Sequence, residues 1–130
     1  MKPIHAQGKR KQAIARATLR AGKGKVTVNG QYLGDFGSHA SQLRIKEPLV
    51  LAGDVAKKVD IEANVNGGGV NGQADAVRLA LARVLVEHDN SLKKVFDEYD
   101  RLLLVADVRR KETCKPNDSK ARAARQKSYR

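Results

Sequence analysis

The chain has 130 residues, 31% of them charged and 41% hydrophobic, and a formal net charge of +12. That length suits one domain with a modest core, and the charge excess draws polyanions, either nucleic acid or an anionic membrane. No stretch reaches the roughly 20 apolar residues that span a bilayer, residues 1–11 lack the apolar centre of a signal peptide, and the single cysteine, Cys114, excludes an internal disulfide; a soluble, non-exported protein is expected.

In chain order, a basic cluster (Gly8-Lys9-Arg10-Lys11) precedes a partly alternating run from Ala13 to Arg20, which predicts a strand. Gly22-Lys23-Gly24 breaks it. Val26-Thr27-Val28 is a short strand closed by Asn29-Gly30, a strong tight-turn signal. Ser38 to Leu51 is partly helical in pattern, interrupted by Pro48. Val59, Ile61, Ala63 and Val65 alternate with polar residues, a strand with one buried face. The glycine-rich segment 67–72 feeds a helix over about Gln73 to Glu87, with Val77, Leu81, Val84 and Leu85 on its apolar stripe and Arg78 and Arg83 away from it. A second helix is predicted from Ser91 to Leu102, with Leu92, Val95, Phe96 and Tyr99 inward and Ser91 or Asn90 as its cap. Leu102 to Val105 is an apolar run whose state, strand or helix, stays open. A domain over residues 1–108 is expected, followed by a cationic tail over 109–130 with a turn at Pro116–Ser119 and a helical turn or two at Ala121–Gln126 on binding.

The charge is segregated. Residues 1–25 carry eight Lys or Arg and no acid, residues 26–108 carry nine basic and twelve acidic groups, and residues 109–130 carry nine basic against two acidic groups. Solubility does not require two cationic ends on a slightly acidic middle. Neutralising phosphates does, because each contact releases counterions, and arginine grips phosphate with a fork of donors. RNA is favoured over DNA, since no recognition helix, zinc finger or basic heptad region is visible. Extended, the tail reaches at most roughly 70–80 Å.

Catalytic patterns fail. The glycine segment lacks the Gly-Lys-Ser/Thr of a phosphate-binding loop, and its Gly67, Gly69, Gly72 spacing arises easily from three consecutive glycines. His5, His39 and His88 are scattered, none at metal-ligand spacing with Cys114. The cluster Asp97, Glu98, Asp100 reads as a solvated helix face. No enzyme, cofactor or metal is expected.

Three segments together resemble a known family: Gly8-Lys9-Arg10-Lys11-Gln12-Ala13-Ile14-Ala15-Arg16-Ala17, then Gly67-Gly68-Gly69 with Gly72 to Arg83, then Asp107-Val108-Arg109-Arg110 leading into the tail. The chain is similar over nearly its whole length to the universal small-subunit ribosomal protein nine family. The ending Gln126-Lys127-Ser128-Tyr129-Arg130 resembles the archaeal and eukaryotic branch, and the Lys115-Pro116-Asn117 before it is closer to archaeal members. The resemblance implies a single α/β (α+β) domain like the second domain of small-subunit ribosomal protein five, with a left-handed βαβ crossover and an extended basic C-terminal tail. It also implies a cytoplasmic place in the head of the small ribosomal subunit, on its ribosomal RNA and beside neighbouring head proteins. The tail would reach the anticodon stem-loop of peptidyl-site transfer RNA, through Lys127, Ser128, Tyr129 and Arg130.

The expected RNA-binding set is then Lys9, Arg10, Lys11, Arg16, Arg78, Arg83, Arg109, Arg110, Lys111, Lys115, Lys120, Arg122 and Arg125. Three rivals are an RNA-processing subunit, which has less need of a long tail, a small-molecule kinase, and a DNA-compacting protein.

Overall fold

The computed structural model describes residues 1–116 and residue 121. Five strands form one sheet: β1 (Ile4–Arg10), β2 (Ala13–Ala21), β3 (Val26–Val28), β4 (Gln31–Tyr32) and β5 (Val59–Asn66). Three helices accompany it: α1 (His39–Ala52), α2 (Val70–His88) and α3 (Leu92–Tyr99). The sheet order is β1-β2-β5-β3-β4, antiparallel except where β3 runs parallel to β5. Parallel neighbours need a crossover, and here the chain makes it through β4 and α1. The α+β expectation holds.

Period-two alternation sets the core. Ala13, Ala15, Ala17 and Leu19 of β2 are buried, as are Val59, Ile61, Ala63 and Val65 of β5, while the residues between them face outward. One face of the sheet carries the helices and the other is open, as antiparallel sheets allow. The alanines of β2 leave room for α2 to lie close, and Ala74, Ala76, Ala80 and Ala82 answer from the helix. At Gly8 the approach is closest: a Cβ there would fall inside contact distance of the Ala76 carbonyl oxygen and of the Ala80 nitrogen.

Several expectations are corrected. β1 was absent from the residue-by-residue strand pattern, because its inward positions are Ile4, Ala6, Gly8 and Arg10, which give little apolar signal. Its hairpin to β2 turns through Lys11 and Gln12, with Lys11 in the left-handed region at φ 55°. α2 begins three residues early, at Val70, and is a central helix rather than an amphipathic one: from Ala76 to Ala82 every residue is buried, Arg78 included. The reason is that α1 packs on the side of α2 away from the sheet, with α3 adding to that cover. α3 ends at Tyr99, and Val95 and Tyr99 are exposed, so only Leu92 and Phe96 anchor it. Ser91 does not cap it with its side chain; the Ser91 hydroxyl and amide both donate to Asp89 Oδ1 instead, at 2.8 and 3.0 Å. Leu102 to Val105 is neither strand nor α-helix: a 3-10 turn over Arg101–Leu103 buries Leu103.

Pro48 sits inside α1 and is buried there; Ser38 caps the helix start by accepting from the Ser41 amide. The Asn29-Gly30 turn is as expected, with both residues at positive φ, 52° and 80°.

Candidate nucleic-acid interface

Strand parity divides the basic N-terminus. Lys9 pairs in register with Ile14 and shares the open face of the sheet with Arg16, whereas Arg10 pairs with Ala13 and points to the helix side. The side chains of Lys9 and Arg16 have no partner among the described residues. Arg10 reaches α2 and the root of the tail: its Nε is 3.6 Å from Asp75 Oδ2 and its Nη1 is 3.3 Å from Asp107 Oδ2. Nη1 is buried and too poorly aligned with Asp107 to form a hydrogen bond.

The glycine segment lies against the same turn. Gly67 and Gly68 have φ 76° and 65°, and a Cβ on Gly67 would stand 2.5 Å from the Gln12 carbonyl oxygen. These glycines therefore dock the segment onto the β1–β2 turn. Gly69, by contrast, faces open space and is the N-cap of α2 with no side chain to cover the first amides. Those amides have no intrahelical acceptor, and the helix dipole adds positive potential there.

The root of the tail closes the third side. Arg110 Nη1 donates to the Lys11 carbonyl oxygen at 2.7 Å. Arg109 grips Asp107 with Nε and Nη2, and its own amide donates to the same carboxylate. The Asp107 carboxyl is consequently held far below the usual carboxylate range, first by the Arg109 side chain, then by the Arg109 amide, with Arg10 adding to it.

Between these three parts lies a cleft of about 840 Å³. Arg10, Lys11, Arg109, Arg110 and Lys111 line it, with Asp75 as its one acid, opposite Gly68, Gly69, Asn71 and Gly72. A smaller hollow of about 330 Å³ lies beside it, where Asp75, Glu47, Asp100 and Asp107 answer the local arginines. The larger cleft combines several cations with backbone amides at a helix start, the two elements that bind phosphate oxygens.

Besides Lys9 and Arg16, other expected residues lie outside the cleft. Arg78 is 9% exposed; its Nε donates to Glu47 Oε2 at 2.8 Å and its Nη2 to Asp100 Oδ2 at 3.0 Å, so it joins α1, α2 and the end of α3. Arg83 donates to the carbonyl oxygens of Leu104 and Gln7, tying the chain after the 3-10 turn to β1. Lys115 bonds Glu112 and the Ala121 carbonyl oxygen. Lys120, Arg122, Arg125, Lys127, Ser128, Tyr129 and Arg130 lie outside the described residues, as do most of the expected turn at Pro116–Ser119 and the helical turn beyond Ala121. Sequence reasoning missed Asp75 and Asp107, the acids that place Arg10. Only the two-residue spacing from Asp107 to Arg109 hints at one of them.

Among the described residues no group of three or more His, Cys, Asp or Glu is placed to hold a metal, and no helix is long and apolar enough to cross a membrane.

A family model described as ribosomal protein S9/S16 matches residues 8–130. The chain is 48% identical over 125 residues to a small ribosomal subunit protein uS9 of Pyrobaculum aerophilum, covering 95% of this chain and 88% of that one. It is 46% identical over 132 residues to the protein of the same description in Methanothrix thermoacetophila, covering 100% of both. With that of Thermoplasma volcanium it shares 49% over 125 residues, 95% of each chain. With a family match over nearly the whole length and archaeal relatives near half identity, the chain belongs to the ribosomal protein S9/S16 family.

Proposed function

We propose that the chain is a non-catalytic structural constituent of the small ribosomal subunit in the cytoplasm, and that it binds the RNA of that subunit. Its relatives carry the description small ribosomal subunit protein. The observation that carries the RNA-binding reading is the cleft in which five cations and one acid face the uncapped start of α2. Phosphates entering there would meet Lys11, Arg110 and Lys111 together with the amides after Gly69. Lys9 and Arg16 would serve a second approach over the open sheet face. Arg78 and Arg83 act from within, holding the helices and β1 in place.

In this reading the division is a globular domain over 1–108 and a cationic tail over 109–130. Lys115, Lys120, Arg122 and Arg125 follow the RNA, and Lys127, Ser128, Tyr129 and Arg130 reach peptidyl-site transfer RNA, with head proteins as neighbours. Charge supports it: the tail carries nine basic groups against two acids. Sucrose-gradient fractionation in low and high salt tests the first part; co-migration with the small subunit through a high-salt wash is expected, and release at moderate salt would contradict it. For the tail, deletion of residues 128–130 should weaken transfer-RNA retention in filter binding while the particle still assembles. Unchanged retention would remove the transfer-RNA contact from the account.

A further inference from the structure

The last side chain that apolar packing buries fully before the tail is Leu103. Beyond it Leu104 is only partly buried against the core and Val105 and Val108 are exposed, Val108 to 87%, so apolar packing fades where the tail begins. What holds it is polar. Asp107 is 10% exposed and faces Arg10 of β1 on one side and Arg109, itself 74% exposed, on the other. Arg110 is tied to the Lys11 carbonyl oxygen across a sequence separation of 99 residues.

The charges around Asp107 make its part specific. Arg10, Lys11, Arg109, Arg110 and Lys111 converge within one cleft. Asp75, the acid lining that cleft, is already shared between Arg10 and Arg44, at 3.6 and 2.7 Å, and Asp107 meets the same Arg10 from the adjoining hollow. Without the Asp107 carboxylate, the tail root and the β1–β2 turn would face each other as like charges, and among the described residues the Arg110 bond would be left to oppose their separation.

We propose that Asp107 is a positioning residue that holds the root of the tail on the β1–β2 turn and so sets the direction in which the tail leaves the domain. The inference concerns the free chain and stands apart from what the tail touches. A root fixed in advance lowers the ordering cost when the tail meets its partner.

Pulsed EPR on the full chain tests it. Cys114 is free and exposed, six residues beyond Val108, and takes one label; Glu98→Cys, on the exposed side of α3, takes the second. The parent should give a narrow distance distribution. Asp107→Asn should broaden it about twofold, as for a root released into a flexible linker, and Asp107→Glu should recover much of the narrowing. Melting of the domain should move little, which separates positioning from folding. A distribution equally wide in the parent and in Asp107→Asn overturns the proposal. If Asp107→Asn fails to fold, Arg10→Gln, which removes the partner of Asp107 on β1, is read the same way: broadening supports the proposal and an unchanged width overturns it.

Discussion

The carboxamide of Asn29 makes two hydrogen bonds to the backbone of Val65: its Oδ1 accepts from the Val65 amide at 2.8 Å and its Nδ2 donates to the Val65 carbonyl oxygen at 3.0 Å. The Asn29 amide also donates to the Ala63 carbonyl oxygen at 2.8 Å. One turn residue thus continues the parallel ladder of β3 on β5 past the end of β3, while its own φ of 52° makes the turn. Asn29→Ala should cost about 2 kcal/mol, combining two lost bonds with the left-handed penalty. Asn29→Gly, which keeps the conformation, should cost roughly half of that. Urea denaturation of both variants checks the difference; equal losses would mean the left-handed backbone costs alanine nothing, and no loss in Asn29→Gly would mean the side-chain bonds contribute nothing.

Gly8 is a packing position. A Cβ there meets backbone of α2, which cannot rotate away as a side chain would. Gly8→Ala should therefore destabilise by about 3 kcal/mol, at the upper end of overpacking effects, with a matching fall in the denaturation midpoint.

Arg78 holds Glu47 and Asp100, whose side chains are 35% and 37% exposed, so water shares in their solvation. Arg78→Met should cost roughly 1–3 kcal/mol at neutral pH. Burial of Asp100 opposes its ionisation, but the Leu102 amide and Arg78 outweigh that and hold its carboxyl below the ordinary 3.8. Asp60, accepting from the Lys25 and Lys23 amides, is lowered as well. A carboxyl lowered on folding contributes stability above its unfolded value and loses it as pH falls through the folded one. Melting temperature should thus hold above about pH 4 and drop below it. The gap between parent and Arg78→Met should narrow on the acid side; a constant gap down to pH 2 would count against the Arg78–Asp100 pairing.

Cations that touch phosphate leave a signature in salt. Lys11→Ala, Arg110→Ala and Lys111→Ala should each reduce the slope of log affinity against log salt for small-subunit RNA by roughly 0.7–0.9. Arg83→Ala should instead lower stability and leave the slope unchanged, because its donors are engaged by Leu104 and Gln7. Filter binding across a salt series separates the two behaviours.

The sequence by itself determined the charge segregation, the β2 and β5 alternation, the Asn29-Gly30 turn and the family, because each is written in local residue order. Periodicity reports which residues share a face, but not what lies opposite that face. β1 is hidden because, apart from Ile4, its inward side chains are small or charged, and α2 lies against it at Gly8. Arg78 looked like a surface cation because nothing local shows that α1 and α3 bring Glu47 and Asp100 to it. The cleft, too, exists only once the fold joins the β1–β2 turn, the start of α2 and the root of the tail. Tertiary structure decided which arginines are engaged within the protein, because an arginine donates to whichever acceptor the fold brings within reach, and those acceptors lie tens of residues away along the chain.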